Sequence, residues 1–472
     1  MLFTVTLSSL APPGGISVDY ATAVGGANPA TPGSDYTAVT PTTLNFAPGQ
    51  QIKTVAVQVL HDSDNSETDE TLLLNLSNPV NGTLVDGQAV GTITVSNTPG
   101  TFLISEIRTS GPAGPDDDFV ELYNNSDAPL TIAAVDASTG YGVYKKGVDC
   151  DVTPVLIATI PNGTVLPARG HYLLVGSSYS LGSYATGNQT LTSNIDSDAN
   201  VGVFSTSDVT NISSIARLDA IGFGANMGGA VCDLLREGTN QHGTLGSNAE
   251  YSFSRDTCGK GGNIANFGAC QTATPVDTNN NSVDFLFADT QGTFIPGLTQ
   301  RLGAPGPENS TSPILRNATF GISLIDPGAA AAAAPNRVRD LTPDPPNNST
   351  FGTMSIRRAF TNNTGAAVTR LRFRIIDITS FPIPAGIADL RARTSSQVVV
   401  SLTGGGTATV QGTTLEPPPA QPNGGAVNSS LGAGTVTLGT PLANGATINL
   451  QFLLGVQATG TFRFYINVEA LP

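Results

Sequence analysis

The sequence predicts an all-β protein of three β-sandwich domains in series. Three observations carry the prediction. Short alternating runs rich in Val, Thr and Ile recur about every ten residues, the spacing of sandwich strands. The 53 Gly and 32 Pro among 472 residues supply the turns between them, because Gly reaches positive φ and Pro pre-sets the first turn position. Segments with a helical period are few, and the length suits about three domains at roughly 150 residues each.

Residues 1–98 form the first predicted domain. Phe3-Thr4-Val5-Thr6-Leu7 reads as a strand, so the chain is expected to start inside a domain. Ile16–Thr22, Thr43–Phe46, Lys53–Val59, Thr71–Leu76 and Ala89–Val95 follow as further strands. Within this unit stand Val18-Asp19-Tyr20-Ala21-Thr22, Gly33-Ser34-Asp35-Tyr36-Thr37, Leu44-Asn45-Phe46-Ala47-Pro48-Gly49-Gln50 and Glu67-Thr68-Asp69-Glu70-Thr71. In order and spacing this set resembles the Calx-beta domain. The resemblance implies a seven-stranded immunoglobulin-like sandwich.

Asn97-Thr98-Pro99-Gly100 reads as a linker, and the second predicted domain runs over 101–309. Phe102–Ile107, then Asp116-Asp117-Asp118-Phe119-Val120-Glu121-Leu122-Tyr123, then Leu166–Val175 and Leu218–Gly224 together resemble a bacterial lamin-tail domain. That resemblance implies a second immunoglobulin-like sandwich, here with insertions. Residues 310–472 read as a third sandwich without a family. Its alanine run, Ala329–Ala334, is expected to be a loop or one helical turn, because isolated short helices are marginal. Asn362-Asn363-Thr364-Gly365 reads as a hairpin-like turn.

Charge excludes some partners. Formal net charge is −15 and charged residues make up 12% of the chain. Such a polyanion has no general field for DNA, RNA or an anionic membrane, and no apolar run reaches the ~18 residues of a membrane span. Cys150, Cys232, Cys258 and Cys270 cluster without a metal-ligand pattern. An even set of clustered cysteines predicts two disulfides, hence an oxidising, extracellular location. The short loop between Cys258 and Cys270 favours Cys258–Cys270 with Cys150–Cys232, and the other two pairings stay open. Thirteen Asn-x-Ser/Thr sequons occur in a chain rich in all three residues, so most are expected to be compositional.

The Calx-beta resemblance implies a calcium site where loops meet at one end of the first sandwich. Asp35, Glu67 and Glu70 hold the matching positions, with Asp62 and Asp64 beside them. Acidic residues expected before the first strand and after the last are missing, so the site is expected to be weak, or the loop simply solvated. Asp116-Asp117-Asp118 reads as a charged turn protecting a sheet edge, with a cation site as the alternative.

Catalytic signatures are poor. His61, His171 and His242 lie in no HExxH or Gly-x-Ser-x-Gly pattern, and the chain has no Trp to line a sugar groove. Residues 313–472 carry +4 against −19 for the preceding 312. Arg357, Arg358, Arg370, Arg372 and Arg374 cluster there, and the last three share one strand face. Arginine suits carboxylate pairing at interfaces, so this face is expected to meet an acidic neighbour. With both termini in strands, the expectation is a non-catalytic extracellular structural subunit, of a cell surface or filament, self-associating head to tail. The alternative is a binding or targeting region of a larger secreted hydrolase or adhesin, with calcium as the one candidate cofactor.

Overall fold

The computed structural model describes the chain except residues 27, 60–69, 94–99, 148–152, 224–229, 240–249, 256–276, 293–299, 317–318, 380–385, 419–420 and 422. The described residues are nearly all β, interrupted by helical turns as short as Ala230–Leu234 and Asn281–Asp284. Contacts divide the chain into two compact units, Met1–Pro99 and Gly100–Pro472.

In the first unit four antiparallel strands form a sheet in the order Thr42–Phe46, Ile16–Val24, Glu70–Val80, Gln88–Ile93. A second layer pairs Leu2–Thr6 with Ile52–Ala56. Alternation decides what is buried. Leu72 and Leu74 of the long strand point inward against Phe3, Tyr36, Val55 and Val57, each buried side chain contributing about 1.5–3 kcal/mol.

The second unit holds two sandwiches. Over residues 100–309 a seven-stranded sheet runs Gln189–Thr190, His171–Val175, Phe119–Asn124, Phe102–Arg108, Tyr251–Arg255, Phe285–Asp289, Gln300–Leu302. A four-stranded sheet of Val155–Pro161, Gly140–Lys146, Asn200–Phe204 and Arg217–Ile221 covers it. Ile104, Val120, Leu122 and Phe253 from one sheet pack with Val143, Ile157, Val201 and Ile221 from the other. Over 310–472 a sheet containing Phe464–Leu471 and Arg370–Ile378 faces one containing Thr353–Asn362 and Thr447–Ala458. Phe373 lies 4.9 Å from Phe360 and 5.0 Å from Phe452, ring centre to ring centre, at the heart of that core.

The predicted boundary at 309/310 falls inside this single unit. The stretch Arg301–Asn309 that leads to this boundary, here the connector, is buried at all nine residues. Leu286 and Leu302 of the middle segment enter the C-terminal core.

Two local expectations are corrected. The Asn362–Gly365 turn joins no hairpin: Thr353–Asn362 and Arg370–Ile378 lie in different sheets, so the turn carries the chain across the sandwich. The C-terminal strand is not an edge strand: Arg370–Ile378 pairs along one side, and Leu315–Arg316 pairs with Ala470 and Glu469 on the other. The alanine run forms turns rather than helix. Buried Asn336 holds it by donating to the Asp326 and Ala329 carbonyls at 2.8 and 3.1 Å.

Candidate functional site

A dense buried polar cluster lies where the two sandwiches of the second unit meet. In Arg370–Ile378 the apolar side chains Leu371, Phe373 and Ile375 enter the C-terminal core, so period-two alternation puts Arg370, Arg372 and Arg374 on the opposite face. That face is covered by the middle sandwich and the connector. Arg372 Nε donates to Glu469 Oε2 at 2.7 Å, Nη1 donates to Tyr184 Oη at 3.2 Å, and Nη2 pairs with Glu308. Arg374 Nε donates to Glu469 Oε1 at 3.0 Å, and its Nη1 donates to Asn428 Oδ1 at 2.8 Å.

Carboxylates of the middle sandwich pin the connector from the other side. Glu106 Oε1 accepts the Gly306 amide at 2.9 Å and Glu121 Oε2 accepts the Glu308 amide at 2.6 Å. His171 Nδ1 lies 3.0 Å from Glu121 Oε1, and its Nε2 lies 3.3 Å from Glu308 Oε2. Burial, with the neighbouring Glu121 charge, pushes the Glu106 carboxyl up to about 7. Around these groups is a cavity of about 80 Å³, a few waters in size.

The hydrogen bonds of the cluster follow one order. Ser105 donates to Glu121 and not to His171, so the acid sits between hydroxyl and imidazole. A nucleophile–base pair needs the imidazole in that central place.

The five predicted arginines therefore fare differently. Arg372 and Arg374 are buried within their own unit, and the expectation that they present a surface to another molecule is corrected. Their acidic partners are Glu308 and Glu469 of the same chain. Arg357 and Arg358 are half-buried and donate to the Pro335 and Asn336 carbonyls at 3.2 and 3.3 Å. Arg370 faces Glu416 at 3.8 Å with 37% of its side chain exposed.

The predicted calcium residues are only partly in view. Asp62, Asp64 and Glu67 lie outside the described residues. Asp35 is buried and accepts the Thr31 amide within its own turn. Glu70 is buried at the start of its strand.

The Asp116–Asp118 run is no solvated edge turn. Asp117 pairs with Arg108, both fully buried. Asp118 accepts the Ile195 amide at 2.5 Å, and burial raises its carboxyl to about 7. Cys232 is disulfide-bonded, while Cys150, Cys258 and Cys270 lie outside the described residues, as do His61 and His242. Sequence reasoning missed Glu106, Glu121, Glu308 and Glu469 altogether. Glu308 sits in a Pro/Gly stretch that reads as linker, and nothing local marks it as buried.

Residues 2–98 match the family model of the Calx-beta domain. A solved structure of the apo form of the Calx CBD1 domain is 28% identical, covering 20% of this chain and 80% of that one, at a TM-score of 0.17. The CBD12 structure from CALX1.2 is 16% identical over 43% of this chain and 72% of its own, at a TM-score of 0.20. No curated protein matches the chain.

Proposed function

We propose that this chain is a non-catalytic structural and binding region of an extracellular protein. Its first unit is a Calx-beta-type sandwich with a weak calcium site built on Asp35, Asp62, Asp64, Glu67 and Glu70. Its second unit is a rigid body of a lamin-tail-type sandwich fused to the C-terminal one. The buried connector Arg301–Asn309 is the observation that carries the reading. A chain meant to hinge between domains leaves its linker in water. This one is fixed by Glu106, Glu121, Arg372 and Arg374, as a stiff spacer or stalk requires. The four clustered cysteines support an extracellular place.

Calorimetric titration of calcium into the intact chain tests the binding part. Affinity at the first unit is expected on the order of 10⁻⁴–10⁻³ M, the range of extracellular modules. Sub-micromolar affinity abolished by Asp62→Asn with Glu67→Gln would overturn it. Turnover of ester, glycoside or phosphoester substrates, lost on Glu121→Gln, would overturn the non-catalytic reading.

A further inference from the structure

The geometry points to a ligand site at an edge of the C-terminal sandwich, fitted to a small carboxylate with an apolar body. It shares no residue with the first-unit loop or with the joint between the sandwiches.

Strand register places the cations. Arg337–Asp340 pairs antiparallel with Thr353–Asn362, with Arg337 opposite Ile356 and Arg339 opposite Met354. Residues directly opposite each other in such a pair share a face of the sheet. Met354 and Ile356 belong to the apolar core between the two sheets, so both arginines project to the core side. Alternation would put apolar residues at these two positions, and the sequence puts guanidiniums there instead.

Both arginines line a cavity of about 310 Å³, within the range of small-molecule sites at about 300–1,000 Å³. Met354, Leu390 and Val456 supply a buried apolar lining, and the half-buried Phe462 adds a ring. Inward charges on an edge strand also guard against strand addition, but a guard needs no apolar cavity beside it.

The charge of this lining is open. Arg337 Cζ lies 5.7 Å from the centre of the Phe462 ring, and its guanidinium has no hydrogen-bond or ion-pair partner among the described residues. Arg339 donates to the Asp340, Thr353 and Phe351 carbonyls at 2.6, 2.8 and 2.5 Å. These bonds fix its fork without neutralising it. Burial, then the Arg337 charge, hold the Arg358 guanidinium below its ordinary value, so a third cation stands close by. Acids of the adjoining segments are engaged elsewhere. Asp389 gives both oxygens to Arg391 at 2.7 Å, and Asp340 accepts the Thr342 amide at 2.8 Å.

A planar guanidinium matches a carboxylate with two parallel hydrogen bonds. An apolar body then covers the lining that water fills otherwise. An inorganic anion would meet the charge and leave that lining wet, so the two features together select an amphiphile.

The test uses the full chain in EGTA, which keeps calcium from both the protein and the probe, sodium octanoate below its micellar concentration. Calorimetry is expected to find one site. Octan-1-ol, of the same length without charge, is expected to bind at least about tenfold more weakly, as loss of a charge-assisted hydrogen bond implies. Arg337→Gln should weaken octanoate by a similar factor and leave octanol nearly unchanged. Ala332→Phe, at the exposed rim of the cavity, should block both ligands and supplies the test should Arg337→Gln fail to fold. Arg236→Gln, in the middle sandwich, is the control and should change neither. No binding of octanoate, equal affinity for octanoate and octanol, or an equal loss in the control overturns the inference. Octanoate binding that survives both Arg337→Gln and Ala332→Phe overturns it as well.

Discussion

Arg372 and Glu469 stand directly opposite each other on paired antiparallel strands, joined Nε to Oε2 at 2.7 Å with both side chains buried. Cross-strand register fixes the pair, and Glu308 of the connector completes it from outside the sheet. The contact that binds the two sandwiches thus grows out of a strand pairing that the C-terminal sandwich makes on its own.

Removing one partner should cost far more than removing the charges together. Arg372→Ala leaves Glu469 and Glu308 short of a counter-ion in a dry site, and a loss of about 3–5 kcal/mol is expected. Arg372→Met with Glu308→Gln removes one charge of each sign, leaves Arg374 paired with Glu469 and should retain most of the stability. Urea unfolding at pH 7 measures both. Equal losses in the single and double variants would show that the network does not act as a unit.

Acidity should stabilise the second unit. Burial raises Glu106 and Asp118, each to about 7, from ordinary carboxyl values near 4.5 and 3.8. A raised carboxyl contributes stability that is complete below its unfolded value and is lost as pH climbs through its folded one. Between about pH 4.5 and 7 each group should therefore cost up to roughly 1.4 kcal/mol per pH unit. The urea midpoint is expected to be higher at pH 5.5 than at pH 8, and Glu106→Gln should shrink the difference. A midpoint that rises steadily to pH 8 contradicts the assignment.

The strands were legible in the sequence because alternation and turn residues are local. The faces were legible too, in that Arg370, Arg372 and Arg374 do project from one side of a strand. What covers that face was not, because the covering residues Tyr184, Glu308 and Glu106 lie up to hundreds of positions away. The burial of the connector was hidden for a related reason. Gly303, Pro305, Gly306 and Pro307 signal irregular backbone, and irregular backbone normally sits in water. Here carboxylates and the Asn428 side chain satisfy it instead. The acidic run 116–118 failed likewise, since burial of Asp117 depends on Arg108 across the loop.

Gly176 should tolerate no side chain. A Cβ there would run into Asp118 Oδ1 and the Asp116 carbonyl, and the latter is backbone that cannot swing away. Gly176→Ala is expected to cost about 1–3 kcal/mol by overpacking, and to move the Asp118 carboxyl from its place against the Ile195 amide. Thermal unfolding checks the first effect. An unchanged melting temperature would mean that the strand end at Val175 relaxes freely.

Cys232 should prove to be joined to Cys150. Its Sγ lies 3.9 Å from the Gly147 carbonyl, at the end of strand Gly140–Lys146 and three residues before Cys150. A disulfide needs its Cα atoms within about 4.4–6.8 Å, a gap that three residues from Gly147 can span readily. Cys258 and Cys270 would then pair, closing a loop short enough to form without the rest of the fold. In the chain-entropy account, a loop of the size set by Cys150 and Cys232 stabilises by about 4–5 kcal/mol, and the short loop by about 3 kcal/mol. Mass spectrometry of an unreduced digest should find the Cys150–Cys232 peptide pair. Reduction should then lower the melting temperature of the second unit more in wild type than in Cys150→Ser with Cys232→Ser. A peptide joining Cys232 to Cys258 or Cys270 would rule this pairing out.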